Sequence, residues 1–241
     1  MDSYIDIHSH ILPGIDDGAE NFDAGMKMLR TAWADGIKKI IATPHYKPGH
    51  HNADPEKIHS LMDQLRREAE KEGIEIELYS GNEFYYHDGM FRKLDEGRAE
   101  TLAESSYVLI EFGPVEGFGY IRGGLYEALA HGWRPVLAHV ERYSAILGKP
   151  ENVEELIRLG SCIQVNAGSV LGRTGMGAKQ FTRRLLKEGL VHFVATDAHD
   201  AERRKPELSG CAKYVSRKYG EAYARRLFWE NSAHILRNEY I

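Results

Sequence analysis

Seven short, apolar, β-rich runs recur along this chain, each followed by an amphipathic stretch, and that alternation confines it to a parallel α/β sheet. The runs are Tyr4–Ile7, Ile37–Ala42, Ile74–Tyr79, Tyr107–Phe112, Pro135–Ala138, Cys162–Val165 and Val191–Ala195. Between them, Ala24–Ala34, Pro55–Glu72, Tyr120–His131, Val153–Leu159 and Ala178–Glu188 carry helical periodicity. Several of these stretches end at a glycine able to cap a helix in the left-handed conformation: Gly36, Gly73, Gly132, Gly160 and Gly189. Beyond residue 205 the pattern reads as helix to the end of the sequence.

Such a sheet can lie open and doubly wound or close into a barrel, and periodicity does not separate the two. The polar residues do. Most candidate catalytic side chains directly follow strands that are spread along the whole chain, and only a barrel brings all those strand ends around one mouth. The expected fold is therefore a distorted TIM-like (β/α)7 barrel with its site at the C-terminal ends of the strands. With 241 residues, 42% of them hydrophobic, the chain can bury one large core, and residues 1–241 read as a single domain.

Composition removes several function classes. No run of about 18 apolar residues occurs, and Met1-Asp2-Ser3-Tyr4 has no basic stretch leading into an apolar one, so a cytoplasmic protein is expected. The two cysteines, Cys162 and Cys211, fall in a strand and a helix and read as reduced, packed thiols. A net charge of −5 without a long basic block gives no dedicated nucleic-acid surface. The twelve histidines say more, because several stand beside carboxylates at the ends of apolar runs.

The first strand ends Asp6-Ile7-His8-Ser9-His10, where a period of two sends both histidines to one face and Ile7 to the other. Later strands deliver His45 after Thr43-Pro44, Glu83 after Gly81-Asn82, then Glu111, His139, and Asp197-Ala198-His199. Asp17, in Gly14-Ile15-Asp16-Asp17-Gly18, can reach the same mouth, with Asp16 an equal candidate by pattern. Imidazole and carboxylate without thiolate suit Mn, Zn or Fe(II), and nine such ligands exceed the need of one ion. Two or three metals are implied, which would leave the cavity positive and attractive to a phosphate dianion. Clustered ions acidify a bound water toward pKa ~7 and make a hydroxide for in-line attack on phosphorus. Arg142 follows His139 closely, and Arg203 and Arg204 follow His199, so a guanidinium can pair with the phosphoryl group.

Together these residues resemble the polymerase and histidinol phosphatase (PHP) superfamily, in particular its bacterial protein-tyrosine phosphatases of the capsule-biosynthesis type. The resemblance runs from residue 5 to about 206. It is carried by Ile5-Asp6-Ile7-His8-Ser9-His10-Ile11-Leu12, Gly14-Ile15-Asp16-Asp17-Gly18, Thr43-Pro44-His45, Gly81-Asn82-Glu83, Ile110-Glu111-Phe112, His139-Val140-Glu141-Arg142-Tyr143, and Thr196-Asp197-Ala198-His199 with Arg204-Lys205-Pro206. The resemblance implies a seven-stranded barrel, three divalent ions, usually manganese, and hydrolysis of phosphotyrosine on a bacterial tyrosine kinase of polysaccharide export. It implies one ion held by His8, His10, Glu83 and Asp197, a second by Glu83, Glu111 and His139, and a third by Asp17, His45 and His199. It also implies Arg142 and Arg204 as phosphate binders and favours Asp17 over Asp16.

The histidine- and lysine-rich loop Tyr46–Asn52 leaves the admitted phosphoester open, with a small-molecule phosphatase such as histidinol-phosphate phosphatase as the nearest alternative. A more remote one is an amidohydrolase, but Glu111 stands where that class places a bridging lysine after the fourth strand. Cys211 and Arg217 have the Cys-x5-Arg spacing of thiol-dependent tyrosine phosphatases, yet their surroundings read as helix rather than as a phosphate-cradling loop.

Overall fold

The computed structural model describes residues 3–241; Met1 and Asp2, part of the N-terminal stretch discussed above, lie outside the described residues. The first half runs β1 (Tyr4–Ser9), α1 (Phe22–Asp35), β2 (Ile37–Ala42), β3 (His45–Tyr46), α2 (Pro55–Lys71), β4 (Glu77–Ser80), β5 (Glu83–Tyr85) and α3 (Met90–Asp95). It continues with β6 (Tyr107–Glu111), α4 (Phe118–Ala130), β7 (Arg134–Leu137), α5 (Pro150–Leu159), β8 (Cys162–Asn166), α6 (Ala167–Leu171), α7 (Met176–Glu188) and β9 (Phe193–Ala195). Helices α8 (Ser209–Tyr219), α9 (Glu221–Arg225) and α10 (Asn231–Leu236) follow. Every strand pairing among the described residues is parallel.

The strands form a three-stranded sheet, β1-β2-β4, and a six-stranded sheet, β3-β5-β6-β7-β8-β9. Two staves of the expected barrel are each cut in two. β2 resumes as β3 after Thr43-Pro44, where proline cannot donate to the ladder, and β4 resumes as β5 after Gly81-Asn82. The ring closes between β1 and the segment after β9, where the Asp197 N–H donates to the His8 carbonyl (2.9 Å) and the His10 N–H to the Ala198 carbonyl (2.8 Å). The result is a distorted, TIM-like α/β barrel. Two of its short strands lay outside the sequence expectation, which placed His45 and Glu83 in loops and began the third strand at Ile74 rather than Glu77.

Local signals explain the helices. The Asn21 side chain accepts the Ala24 N–H at the start of α1, and Asp54 does the same for Lys57 at the start of α2, with Pro55 in the first turn. Glycines at 36, 160 and 189 close α1, α5 and α7 in the left-handed conformation. The expected unbroken C-terminal helix is corrected: Gly220, at φ 101° and ψ 150°, separates α8 from α9, and helix ends at Leu236. No helix of the described residues is long and apolar enough to cross a membrane.

The interior holds Ile5, Ile7, Ile41, Tyr107, Leu109, Val136, Ala138, Phe193 and Ala195, stoppered by Leu102 and Ile235. The opposite strand faces, with residues such as Ile40, Val108, Ile110, Leu137 and Val194, pack under the helices in a larger core. At roughly 1.5–3 kcal/mol for each fully buried large apolar side chain, these two layers supply the main driving force for a rigid mouth.

Candidate metal centre

β1 delivers two imidazoles to the mouth by an irregularity rather than by simple alternation. Asp6 pairs with Ile40 but Ser9 with Ala42, so β1 holds one more residue than β2 in that interval. This bulge resets the phase. Ile7 stays with Ile5 in the barrel interior, correcting the expectation that it faces away from His8, while His8 Nε2 and His10 Nε2 still meet at 3.2 Å.

Each ring is steered from behind. Asp16 Oδ2 lies 2.7 Å from His10 Nδ1, and Gln164 Oε1 lies 3.3 Å from His8 Nδ1. Asp16 also accepts the backbone N–H groups of Gly18 and His45, so one carboxylate ties the first loop to both β1 and β3.

Glu83, buried at the start of β5, is the hub. Its Oε2 lies 3.2 Å from His8 Nε2, 3.2 Å from His10 Nε2 and 3.0 Å from His45 Nδ1, while Oε1 lies 2.8 Å from His139 Nε2. Glu111, ending β6, places Oε1 3.2 Å from His45 Nδ1. Asp197 Oδ1 stands 3.5 Å from His8 Nε2 and 3.6 Å from His10 Nε2. Asp17 Oδ1 approaches His45 Nε2 at 3.2 Å and His199 Nε2 at 3.5 Å. All nine expected ligand residues therefore converge, whereas Arg203 remains exposed. Their donor atoms form four overlapping groups able to hold a cation: His10, Asp17, His45 and His199; His8, His10 and Asp197; His8, Glu83 and His139; His45, Glu83 and Glu111.

Electrostatics fit a cation at this mouth. Burial alone would drive His10 and His45 neutral. The hydrogen bonds of His10 to Asp16 and Glu83 overcome it and push that ring up to about 10, while Glu111 and Glu83 raise His45 to about 9. Burial opposes ionisation of Glu83, yet His8, His10, His139 and His45 hold its carboxyl well below the usual range. His199, facing His10, is pushed down to about 3 by burial and by the charge on His10. The buried His45 Nδ1 and Glu111 Oε1 approach each other without forming an aligned hydrogen bond, and a cation that displaced the ring proton would take a lone pair from each. Imidazole and carboxylate without thiolate fit manganese, iron or zinc.

Two of the expected ligand positions carry backbone strain, His139 at φ 32° and Asp197 at φ 52°. Both are fastened: the His139 N–H donates to Gln164 Oε1 at 2.7 Å and the Asp197 N–H to His8 as described. Arg142, on the helical turn after His139, donates through Nη2 to Asp197 Oδ2, and Arg204 Nη2 reaches the same oxygen at 2.6 Å. Asn166 Nδ2 donates to it at 2.8 Å, and Asn166 Oδ1 accepts from Gln164 Nε2 at 2.7 Å. Gln164 and Asn166 escaped the reading of the sequence, as did the tethering role of Asp16. Their signal was present as polar residues alternating with apolar ones in Cys162-Ile163-Gln164-Val165-Asn166, a strand buried at every position after the half-buried Cys162.

A curled parallel barrel with such a mouth places the protein among the TIM-like barrel metallohydrolases. The chain belongs to the CpsB/CapC family of capsular polysaccharide synthesis, whose model matches residues 4–237. It is 34% identical to the tyrosine-protein phosphatase CpsB of Streptococcus agalactiae serotype V, over 98% of this chain and 100% of that one. Identity to the tyrosine-protein phosphatase YwqE of Bacillus subtilis is 33%, over 98% and 93% of the two chains. In space it superposes with a TM-score of 0.91, at 34% identity and covering 98% and 96%, on a chain from the crystal structures of YwqE from Bacillus subtilis and CpsB from Streptococcus pneumoniae, described as unique metal-dependent tyrosine phosphatases. A histidinol phosphate phosphatase from Lactococcus lactis (TM-score 0.57, 15% identity) and a D-hydantoinase (0.52, 12%) share the fold alone.

Proposed function

We propose that this chain is a metal-dependent protein-tyrosine phosphatase acting, as one PHP-type domain, on a phosphotyrosine protein of capsular polysaccharide synthesis, in first place a bacterial tyrosine kinase in the cytoplasm. The observation that carries the reading is the meeting of Arg142 and Arg204 on Asp197, at the edge of a buried imidazole–carboxylate cluster. The proposed ligand sets are His8, His10, Glu83 and Asp197; Glu83, Glu111 and His139; and Asp17, His45 and His199, for three divalent ions, manganese before iron or zinc. Two donor groups support the first and third sets, one joining His8, His10 and Asp197 and one joining Asp17, His45 and His199 with His10, while Glu111 and His139 fall in separate groups that share Glu83.

When bound, such ions supply an acidified water and positive charge against the phosphoryl oxygens. The chain's own residues do the rest. Arg142 and Arg204 keep side-chain exposures of 38% and 40%, so both can turn from Asp197 toward a ligand entering from solvent. Each guanidinium offers paired N–H donors that match two phosphoryl oxygens and orient phosphorus over the cluster. Asp16 and Gln164 hold His10 and His8 in the rotation that turns their Nε2 atoms inward. The departing group is a phenolate of parent pKa ~10, which leaves without a strong general acid. A thiol route does not compete: Cys211 is fully buried on α8, and burial pushes its thiol further from ionisation.

Steady-state kcat/KM on a phosphotyrosine peptide and on histidinol phosphate, with manganese-loaded protein, tests the proposal. The peptide is expected to be preferred; preference for histidinol phosphate, or no phosphate release from either, contradicts it.

A further inference from the structure

The two arginines occupy one side of the mouth, both committed to Asp197 after β9. Glu111 ends β6, three staves away around the ring, and besides the cluster imidazoles of His45 and His139 the lysine ammonium of Lys47 attends it, with Nζ 3.6 Å from Glu111 Oε1. That separation is an ion pair without a hydrogen bond, and the Lys47 side chain is 29% exposed, so its ammonium retains donors for another acceptor. Its backbone is held with more care than the pairing with Glu111 requires. The Lys47 N–H donates to Asn52 Oδ1 at 2.7 Å, and Asn52 Nδ2 donates back to the Lys47 carbonyl at 2.9 Å and to that of His50 at 3.3 Å. One side chain thus closes the loop after β3 and fixes where Lys47 leaves the sheet.

We infer that Lys47 is a substrate-binding residue that grips a phosphoryl oxygen from the side of the mouth across from Arg142 and Arg204. Its partner is the phosphate monoester dianion, and afterwards the inorganic phosphate product. The inference rests on the phosphatase reading, because it names a further contact in that site. Glu111 has charge to share with a cation in the cluster, and a weakened hold on Lys47 leaves the ammonium for the substrate. A point-like ammonium on a flexible stem suits a mobile oxygen, complementing the planar forks of the arginines.

The test uses manganese-loaded full-length protein, with inorganic phosphate as the probe, read by competitive inhibition and by calorimetry. For Lys47→Met, phosphate affinity is expected to weaken and KM for a phosphotyrosine peptide to rise, each by about tenfold, as for loss of one charge-assisted hydrogen bond. The change in kcat should be smaller, the metal content that of the parent, and Lys47→Arg should recover most of the affinity. Unchanged phosphate affinity in Lys47→Met, or metal loss accompanying an unchanged KM, overturns the inference, since either leaves Lys47 only balancing Glu111. Asn52→Ala, which frees the Lys47 backbone and keeps its charge, serves if Lys47→Met does not fold; it should weaken phosphate binding in the same direction, and unchanged affinity there also overturns the inference. An inactive parent protein would instead contradict the phosphatase reading itself.

Discussion

Adjacent aspartates in the first loop do different work. Asp17 points its carboxylate at His45 and His199, whereas Asp16 stands behind His10 and is held down to about 2: burial opposes its ionisation, but the His10 contact and the N–H groups of Gly18 and His45 outweigh it. Asp16→Asn keeps the shape but not the charge that orients the ring, so metal affinity or kcat should fall 10–100-fold, the loss typical of a removed outer-shell partner. Metal titration with parallel kinetics checks this, and parent-like values for both would contradict it. Arg142→Ala should abolish turnover with metal occupancy kept; equal loss of metal would reassign the arginine to supporting the cluster through Asp197. Cys211→Ser should leave kcat intact, and an inactive variant that retains its metals would revive thiol chemistry. The donors at the mouth were legible because each is a His or carboxylate at a strand end. The choice between Asp16 and Asp17 was not, because spacing cannot tell which neighbour points inward.

At the scale of elements, the first loop is pressed against β1 at Gly18. A Cβ there would lie 2.1 Å from the His10 carbonyl oxygen and 2.4 Å from the His10 Cβ. Gly18→Ala must therefore displace either the loop or His10, and a loss of metal binding comparable to that of a ligand mutant is expected; a variant with parent-like metal affinity would show the loop to be slack. The long apolar runs and the capped helices could be read from sequence because they obey simple periods. Strands β3 and β5 could not, since two or three residues containing His45 or Glu83 resemble loops and become strands only through pairing with neighbours distant in sequence. The β1 bulge is hidden for the same reason: it exists only as a mismatch against β2.

For the whole molecule, stability has a pH signature away from the mouth. His192 sits between β8 and β9, where Nδ1 accepts the Ile163 N–H at 3.1 Å and Asn231 of α10 donates to its carbonyl. Burial, and then the charge of Arg226, lowers its pKa from 6.5 to about 4. The unfolded chain binds this proton below about 6.5 and the folded one only below about 4, so stability falls as pH drops between those values and then levels off. The linked change is on the order of 3 kcal/mol. The Tm of His192→Gln should decline less steeply than that of the parent between pH 6.5 and 4; equal slopes would contradict the assignment. Barrel closure was legible from the scatter of site residues along the chain, while the stoppering of its interior by Leu102 and Ile235 was not, because neither belongs to a strand.

The central claim is that imidazoles and carboxylates from far-apart strands meet to cage several cations over which a phosphoryl group is gripped. Anomalous diffraction at the manganese edge, from crystals of the active protein grown with manganese, tests it most directly. Two or three peaks enclosed by His8, His10, Asp17, His45, Glu83, Glu111, His139, Asp197 and His199 are predicted. A mouth without peaks, in crystals whose dissolved protein still releases phosphate from phosphotyrosine, would contradict it.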